Sequence, residues 1–105
     1  MHRLLFMNID GTLLDSGGKL QRSAKQAVQY ALKKGVKVSL YTSRNFPFAK
    51  SIANALKIPS AIIAHHGAYI AEEESHPLFV KRLEEELVYD ILRFLESFPC
   101  QIHIV

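Results

Sequence analysis

Short apolar runs that end in turn-forming residues recur three times along the first two thirds of the chain. They cover residues 4–9, 36–41 and 61–64, and the first run stops at Asp10-Gly11-Thr12. Nearly continuous apolar runs of this length are typical of parallel strands that are buried on both faces. The pattern therefore predicts three buried strands, each followed by a polar loop.

Helical spacing of apolar residues separates these runs. Residues 23–34 carry alanine, valine and leucine at intervals of three and four, Ser23 and Gln26 have the spacing of a capping box, and Gly35 is placed to end the helix. A second helix follows, with Pro47 in its first turn. Strands that alternate with helices through short connections predict an α/β fold with a Rossmann-like parallel sheet of three βα-type units.

The pattern changes after Gly67. Two short apolar runs at residues 68–71 and 78–80 flank a polar turn, which predicts a pair of strands. A helix follows whose first turn, residues 84–86, is acidic, and negative charge there favours the helix dipole. Residues 101–105 alternate polar and apolar side chains and predict one more strand.

Composition and charge narrow the class of protein. The chain has 105 residues, of which 49% are hydrophobic and 22% charged, as expected for one small globular domain. Its net charge of +3 is too small and too evenly scattered to indicate a nucleic-acid partner. No stretch approaches the roughly 20 apolar residues of a membrane helix, so we expect no membrane partner. The single cysteine, Cys100, cannot form an internal disulfide, which predicts a reduced cytoplasmic protein with Cys100 buried.

Three polar loops are expected at one edge of the predicted sheet. They are residues 8–12, 42–45 and 65–67, and each follows one of the three buried strands. Ligands of open α/β sheets bind at the carboxyl ends of the strands, where helix N-termini direct backbone N–H groups outward. The sequence therefore predicts an anion site at this edge.

The residue types in these loops suit a phosphate. Gly11 allows close approach of the backbone, Thr12 and Thr42 offer hydroxyl donors, and Arg44 adds a cation near a bound anion. Each has a plainer alternative. The segment after the first strand also suits a turn with an Asx hydrogen bond, Thr42 a strand-end hydroxyl that bonds to backbone, and Arg44 a surface charge at the entry to a helix.

Two of these loops resemble the signatures of a known family. Asn8-Ile9-Asp10-Gly11-Thr12-Leu13-Leu14 resembles the first signature of the haloacid dehalogenase-like (HAD) phosphohydrolases, which is normally Asp-x-Asp-Gly-Thr-Leu-Leu. Thr42, in Tyr41-Thr42-Ser43-Arg44, is similar to the second signature. The turn His66-Gly67-Ala68 further resembles the Cof-type branch, which inserts a cap domain after the third strand. The resemblance implies a partial HAD core over residues 1–68 and the beginning of an α+β cap over residues 69–105.

The resemblance also implies a reaction, the magnesium-dependent hydrolysis of small phosphate monoesters through an aspartyl-phosphate. Position 8 would carry the nucleophile, Asp10 would act as general acid and then base, and both positions would lie at the Mg²⁺ ion. Thr42 would hold a phosphoryl oxygen. The other positions implied in phosphate binding are Gly11, Thr12 and Ser43.

The chain departs from the family pattern in two respects. Position 8 is Asn, and a neutral carboxamide is a feeble nucleophile and a weak ligand for a hard dication. The third and fourth signatures of the family follow the cap and are expected beyond residue 105. We therefore expect an N-terminal fragment that is inactive on its own and self-associates through exposed sheet edges. A catalytically silent phosphate-binding or interaction module and a purely structural domain are the alternatives.

Overall fold

The computed structural model describes residues 3–104, which form one mixed sheet and three α-helices in the described part of the chain. A single turn of 3₁₀ helix, His65–Gly67, lies between the third and fourth strands. The elements in chain order are β1 (Leu4–Asn8), α1 (Arg22–Lys33), β2 (Lys37–Tyr41), α2 (Phe46–Leu56), β3 (Ile62–Ala64), β4 (Tyr69–Glu73), β5 (His76–Val80) and α3 (Glu85–Leu95).

The sheet has the strand order β1-β2-β3-β4-β5. Strand β1 pairs with β2 in parallel, with Asn8 opposite Tyr41, and β2 pairs with β3 in parallel, with Tyr41 opposite Ile63. These pairings confirm the predicted α/β fold with its parallel arrangement of the first three strands. Strands β4 and β5 are antiparallel and extend the same sheet, because β4 hydrogen-bonds to β3.

The core lies where α1 and α2 pack against β2 and β3. The prediction that the first strand is buried on both faces is wrong for the beginning of β1. Leu4, Leu5 and Phe6 are 51%, 43% and 48% exposed. The reason is that β1 is an edge strand of the described sheet, and the helices contact mainly its neighbours. The largest fully buried side chains are Ile9, Leu13, Val28, Val38, Leu40, Leu56 and Ile62.

Helix α1 ends as predicted but begins differently. The N–H of Gly35 donates to Leu32 O and that of Val36 to Ala31 O, both at 3.1 Å, and Gly35 has φ +81°, the left-handed conformation that ends helices. The predicted capping box at Ser23 was wrong, because the N-cap is Gln21 and makes no side-chain cap bond. The N–H of Gln21 donates to a carbonyl of the preceding loop at 3.3 Å, which sets the start of the helix at the next residue.

The ends of the other helices follow local chemistry. Asn45 caps α2 by accepting the N–H of Phe48 at 3.0 Å, and Pro47 lies in the first turn, as predicted. Helix α3 begins with Glu85 and Glu86, which confirms its acidic first turn.

Within residues 3–104, none of the helices combines the length and the apolar character needed to cross a bilayer.

The C-terminal segment departs from the prediction. Residues 101–104 form no strand, and Val105 lies outside the described residues. Alternation of side chains does not make a strand without a neighbour to pair with, and residues 101–104 pair with no described strand.

Cys100 is exposed, so its predicted burial was wrong. It lies beyond the end of α3 at Leu95, and no residue of that helix is fully buried.

Candidate functional site

The loop after β1 is a tight turn that holds Asp10 in place. The carbonyl of Ile9 accepts the N–H groups of Thr12, Leu13 and Leu14 at 3.4, 3.0 and 3.2 Å. The side chains of Leu13 and Leu14 are buried and anchor the turn in the core. Gly11, at φ +76°, supplies the left-handed residue that the reversal requires. Asp10 is therefore presented from a rigid backbone at the carboxyl end of β1.

The side-chain amide of Asn8 is oriented by its own loop. Its Oδ1 accepts the N–H of Ile9 at 2.9 Å, and its Nδ2 donates to the carbonyl of Asp10 at 3.3 Å. Oxygen facing a donor and nitrogen facing an acceptor identify the two ends of the amide. A carboxylate at position 8 would instead place a second oxygen toward the Asp10 carbonyl. The local hydrogen bonds therefore match asparagine.

Thr42 ties the second and third loops together. It is 2% exposed. Its N–H donates to Ile63 O at 2.8 Å, and its carbonyl accepts the N–H of His66 at 3.0 Å. Its Oγ1 accepts the N–H of Arg44 at 3.0 Å, so the hydroxyl proton is left to donate elsewhere. The parallel register of β1 and β2 aligns their carboxyl ends and brings Thr42 close to Asn8.

Arg44 connects the second loop to the first. Its Nε donates to Oδ2 of Asp10 at 2.9 Å and its Nη2 to Oδ1 at 2.7 Å, which makes a bidentate ion pair. The guanidinium also lies over the ring of Phe48, 4.2 Å from its centroid. Arg44 is thus held from two sides, and it neutralises the carboxylate of Asp10.

A cavity of about 410 Å³ opens where these loops meet. Four of the predicted site residues line it, namely Asn8, Asp10, Thr42 and Ser43. Gly11 and Thr12 are exposed and do not line the cavity. Arg44 does not line it either, but it is hydrogen-bonded to Asp10, which does. The sequence interpretation missed three lining residues, Tyr41, Ile63 and His66.

The missed residues contribute to the cavity for different reasons. Tyr41 and Ile63 are paired neighbours at the ends of β2 and β3, so the strand register could have located them once the strand ends were known. His66 has φ +54°, which turns the third loop back toward Thr42. The sequence predicted a turn at His66-Gly67-Ala68 but did not identify His66 as a site residue.

The oxygens at positions 8 and 10 do not fit the Mg²⁺ ion that the resemblance implies. Both carboxylate oxygens of Asp10 accept from Arg44, the carbonyl of Asp10 accepts from Asn8, and Oδ1 of Asn8 accepts from a backbone N–H. Mg²⁺ requires near-octahedral oxygen coordination that includes carboxylates. Within residues 3–104, no three His, Cys, Asp or Glu side chains are grouped so as to hold a metal ion.

A larger cavity, of about 910 Å³, lies between the beginning of α2 and α3. Its lining is mostly apolar and includes residues of α3 and of the segment after it, together with Lys81 and Arg82. Asn45 and His65 of the predicted polar loops line this cavity, but Asn8, Asp10, Thr42 and Ser43 do not. The candidate site is therefore the smaller cavity at the strand ends.

Comparison with known proteins gives consistent matches over almost the whole chain. A family model described as haloacid dehalogenase-like hydrolase matches residues 5–105. Stress response protein YhaX of Bacillus subtilis (strain 168) is 44% identical over 98% of this chain and 36% of that protein. Phosphatase YwpJ of the same organism is 30% identical over 90% of this chain and 33% of that protein.

A solved structure gives the same result. The haloacid dehalogenase-like hydrolase from B. subtilis superposes with a TM-score of 0.76 at 30% identity, over 90% of this chain and 33% of that chain. The chain spans about a third of the length of the curated relatives it matches.

Proposed function

Because the chain belongs to the haloacid dehalogenase-like hydrolase family, as the two signatures predicted, we propose that the cavity at the ends of β1 and β2 binds the phosphoryl group of a small phosphate monoester. The observation that supports this most directly is that Asn8, Asp10 and Thr42, which come from two loops, line one cavity. Thr42 and Ser43 supply hydroxyl donors, and the Asn8 amide supplies N–H donors.

The family context favours a phosphatase ancestry. Several relatives carry phosphatase names, among them the HMP-PP phosphatase of Yersinia pestis, which is 28% identical over 99% of this chain. We propose that the parent reaction is hydrolysis of phosphate monoesters with Mg²⁺ through an aspartyl-phosphate. In this proposal residues 1–68 are part of the core that binds phosphate, and residues 69–105 begin a cap.

We further propose that this chain binds phosphate without hydrolysing it. Attack on phosphorus requires an anionic oxygen at position 8, and Asn8 has only a neutral amide whose oxygen already accepts the N–H of Ile9. Asp10 is the carboxylate that would act as general acid and base. Without a nucleophile at position 8, it could assist only a direct attack of water on phosphorus. Both of its oxygens also accept hydrogen bonds from Arg44.

The cellular setting and assembly belong to the same proposal. We place the protein in the cytoplasm, because its one cysteine forms no internal disulfide. The ligand is a small phosphorylated molecule rather than nucleic acid, since the net charge of +3 is small. Self-association through exposed sheet edges is treated as a prediction below.

The test combines turnover and binding. Turnover of p-nitrophenyl phosphate with Mg²⁺ should be absent from the chain, and inorganic phosphate should bind. Thr42→Val, which loses the hydroxyl, should weaken phosphate binding roughly tenfold or more, because a hydrogen bond to a charged group contributes about 1.5–3 kcal/mol. Thr42→Ser retains the hydroxyl and serves as the matched control, with binding close to that of the unchanged chain.

Two results would contradict the proposal. Hydrolysis by the unchanged chain would show that Asn8 does not abolish the reaction. Equal phosphate affinity in the chain, Thr42→Val and Thr42→Ser would show that phosphate binds elsewhere. Turnover gained by Asn8→Asp would add that the remaining groups of the site suffice for the reaction.

A further inference from the structure

We propose that this cavity binds its phosphate without a metal ion, because Asn8 supplies no anionic oxygen and Arg44 donates to both carboxylate oxygens of Asp10. The inference rests on the proposed function, since it concerns how the same cavity accepts a phosphoryl group. It departs from what the family resemblance implies, which is a Mg²⁺ ion held at positions 8 and 10.

The charge balance of the cavity supports this inference. A site with carboxylates at positions 8 and 10 would repel a phosphate dianion, and a dication would be needed to offset that repulsion. Here position 8 is neutral, and among the lining residues within positions 3–104 Asp10 is the one that is acidic. Arg44 neutralises Asp10 through two short hydrogen bonds, of 2.9 and 2.7 Å. The lining therefore carries no uncompensated negative charge that a cation would have to offset.

The side-chain amide of Asn8 also makes a contact that two oxygens could make only with a cation or a proton between them. Its Nδ2 joins the side chain at position 8 to the carbonyl of Asp10 at 3.3 Å. Two oxygens at this separation would repel each other unless a cation or a proton lay between them, and the amide N–H places a proton there. The loop after β1 is thus closed by a hydrogen bond that uses no metal.

The donors that remain are suited to phosphate oxygens. The amide group of Asn8 has two N–H bonds, and the bond to the Asp10 carbonyl uses one of them. Thr42 accepts from Arg44 through Oγ1 and has its hydroxyl proton to donate. With the hydroxyl of Ser43, these side chains give the cavity hydrogen-bond donors from both loops.

The experiment is a titration of the chain with inorganic phosphate, followed by calorimetry, in EDTA and again in excess Mg²⁺. The expected dissociation constants agree within about twofold. Asn8→Asp should weaken binding in EDTA by about tenfold or more, because it adds a negative charge beside the anion, and Mg²⁺ should restore part of that loss. Asn54→Asp makes the same chemical change on an exposed face of α2 and should bind like the unchanged chain.

The outcomes separate the inference from the proposed function. Phosphate binding that requires Mg²⁺ would overturn the inference and leave the proposed function standing. No binding in either condition would overturn both. If Asn8→Asp does not fold, as judged by circular dichroism, the comparison of EDTA and Mg²⁺ in the unchanged chain decides the question by itself.

Discussion

The ion pair between Arg44 and Asp10 gives a prediction in which binding and stability respond differently. Arg44→Gln removes the guanidinium while keeping a polar side chain of similar length. The carboxylate of Asp10 then loses its two short bonds and faces the cavity as an uncompensated negative charge. We expect phosphate affinity to fall while the stability of the fold changes little.

The magnitudes follow from exposure and charge. The side chains of Arg44 and Asp10 are 48% and 41% exposed, so solvent screens their interaction. An exposed pair of this kind contributes about 0–1 kcal/mol to folding. The Asp10 carboxylate would repel a phosphate charge roughly 5 Å away by about 1 kcal/mol in water and about 3 kcal/mol at an effective dielectric near 20. For the partly exposed Asp10 we expect a loss of about 1–2 kcal/mol, or roughly 5- to 30-fold in phosphate affinity.

The assay is calorimetric titration with inorganic phosphate in EDTA, together with thermal unfolding. Lys50→Gln is the matched control, because it removes the same charge and breaks the Lys50–Glu73 ion pair, which measures 3.2 Å and lies away from the cavity lining. Lys50→Gln also removes the 2.8 Å bond to the Glu72 carbonyl, so it should lower stability at least as much as Arg44→Gln, but it should leave phosphate affinity unchanged. Equal affinities in Arg44→Gln and Lys50→Gln would refute the role assigned to Arg44.

Two further predictions concern the fold. Gly35→Ala should destabilise the chain by about 1 kcal/mol, because alanine is strained at φ +81° although the space around it is open, and thermal unfolding should show a midpoint several degrees lower. An unchanged midpoint would contradict the assigned helix end. The exposed apolar side chains at the beginning of β1 should cause self-association at micromolar concentration, and Phe6→Lys should reduce it. Sedimentation of a folded monomer before the substitution would count against this prediction.

The parallel part of the fold could be predicted because local patterns specify it. Apolar runs located β1, β2 and β3, and Gly35 located the end of α1 because few other residues accept a positive φ. The errors concern features that depend on neighbouring elements. Leu5 is exposed because β1 is an edge strand, and residues 101–104 remain irregular because no described strand pairs with them.

The candidate site was predictable to the same extent. The family signatures named Asn8, Asp10 and Thr42, and the register of β1 and β2 places them at one cavity. The contact between Arg44 and Asp10 was not predicted, because it joins side chains 34 positions apart and depends on their conformations. The sequence predicted the turn at His66 but not its place in the cavity lining, which depends on a positive φ at a residue other than glycine.

The most direct test of the account is to locate bound phosphate on the chain. Amide ¹H–¹⁵N correlation spectra recorded during a phosphate titration in EDTA should show shifts concentrated at residues 8–12, 42–44 and 66. Shifts concentrated at Lys81 and Arg82, beside the larger cavity, or no shifts at all, would contradict a phosphate site at the ends of β1 and β2.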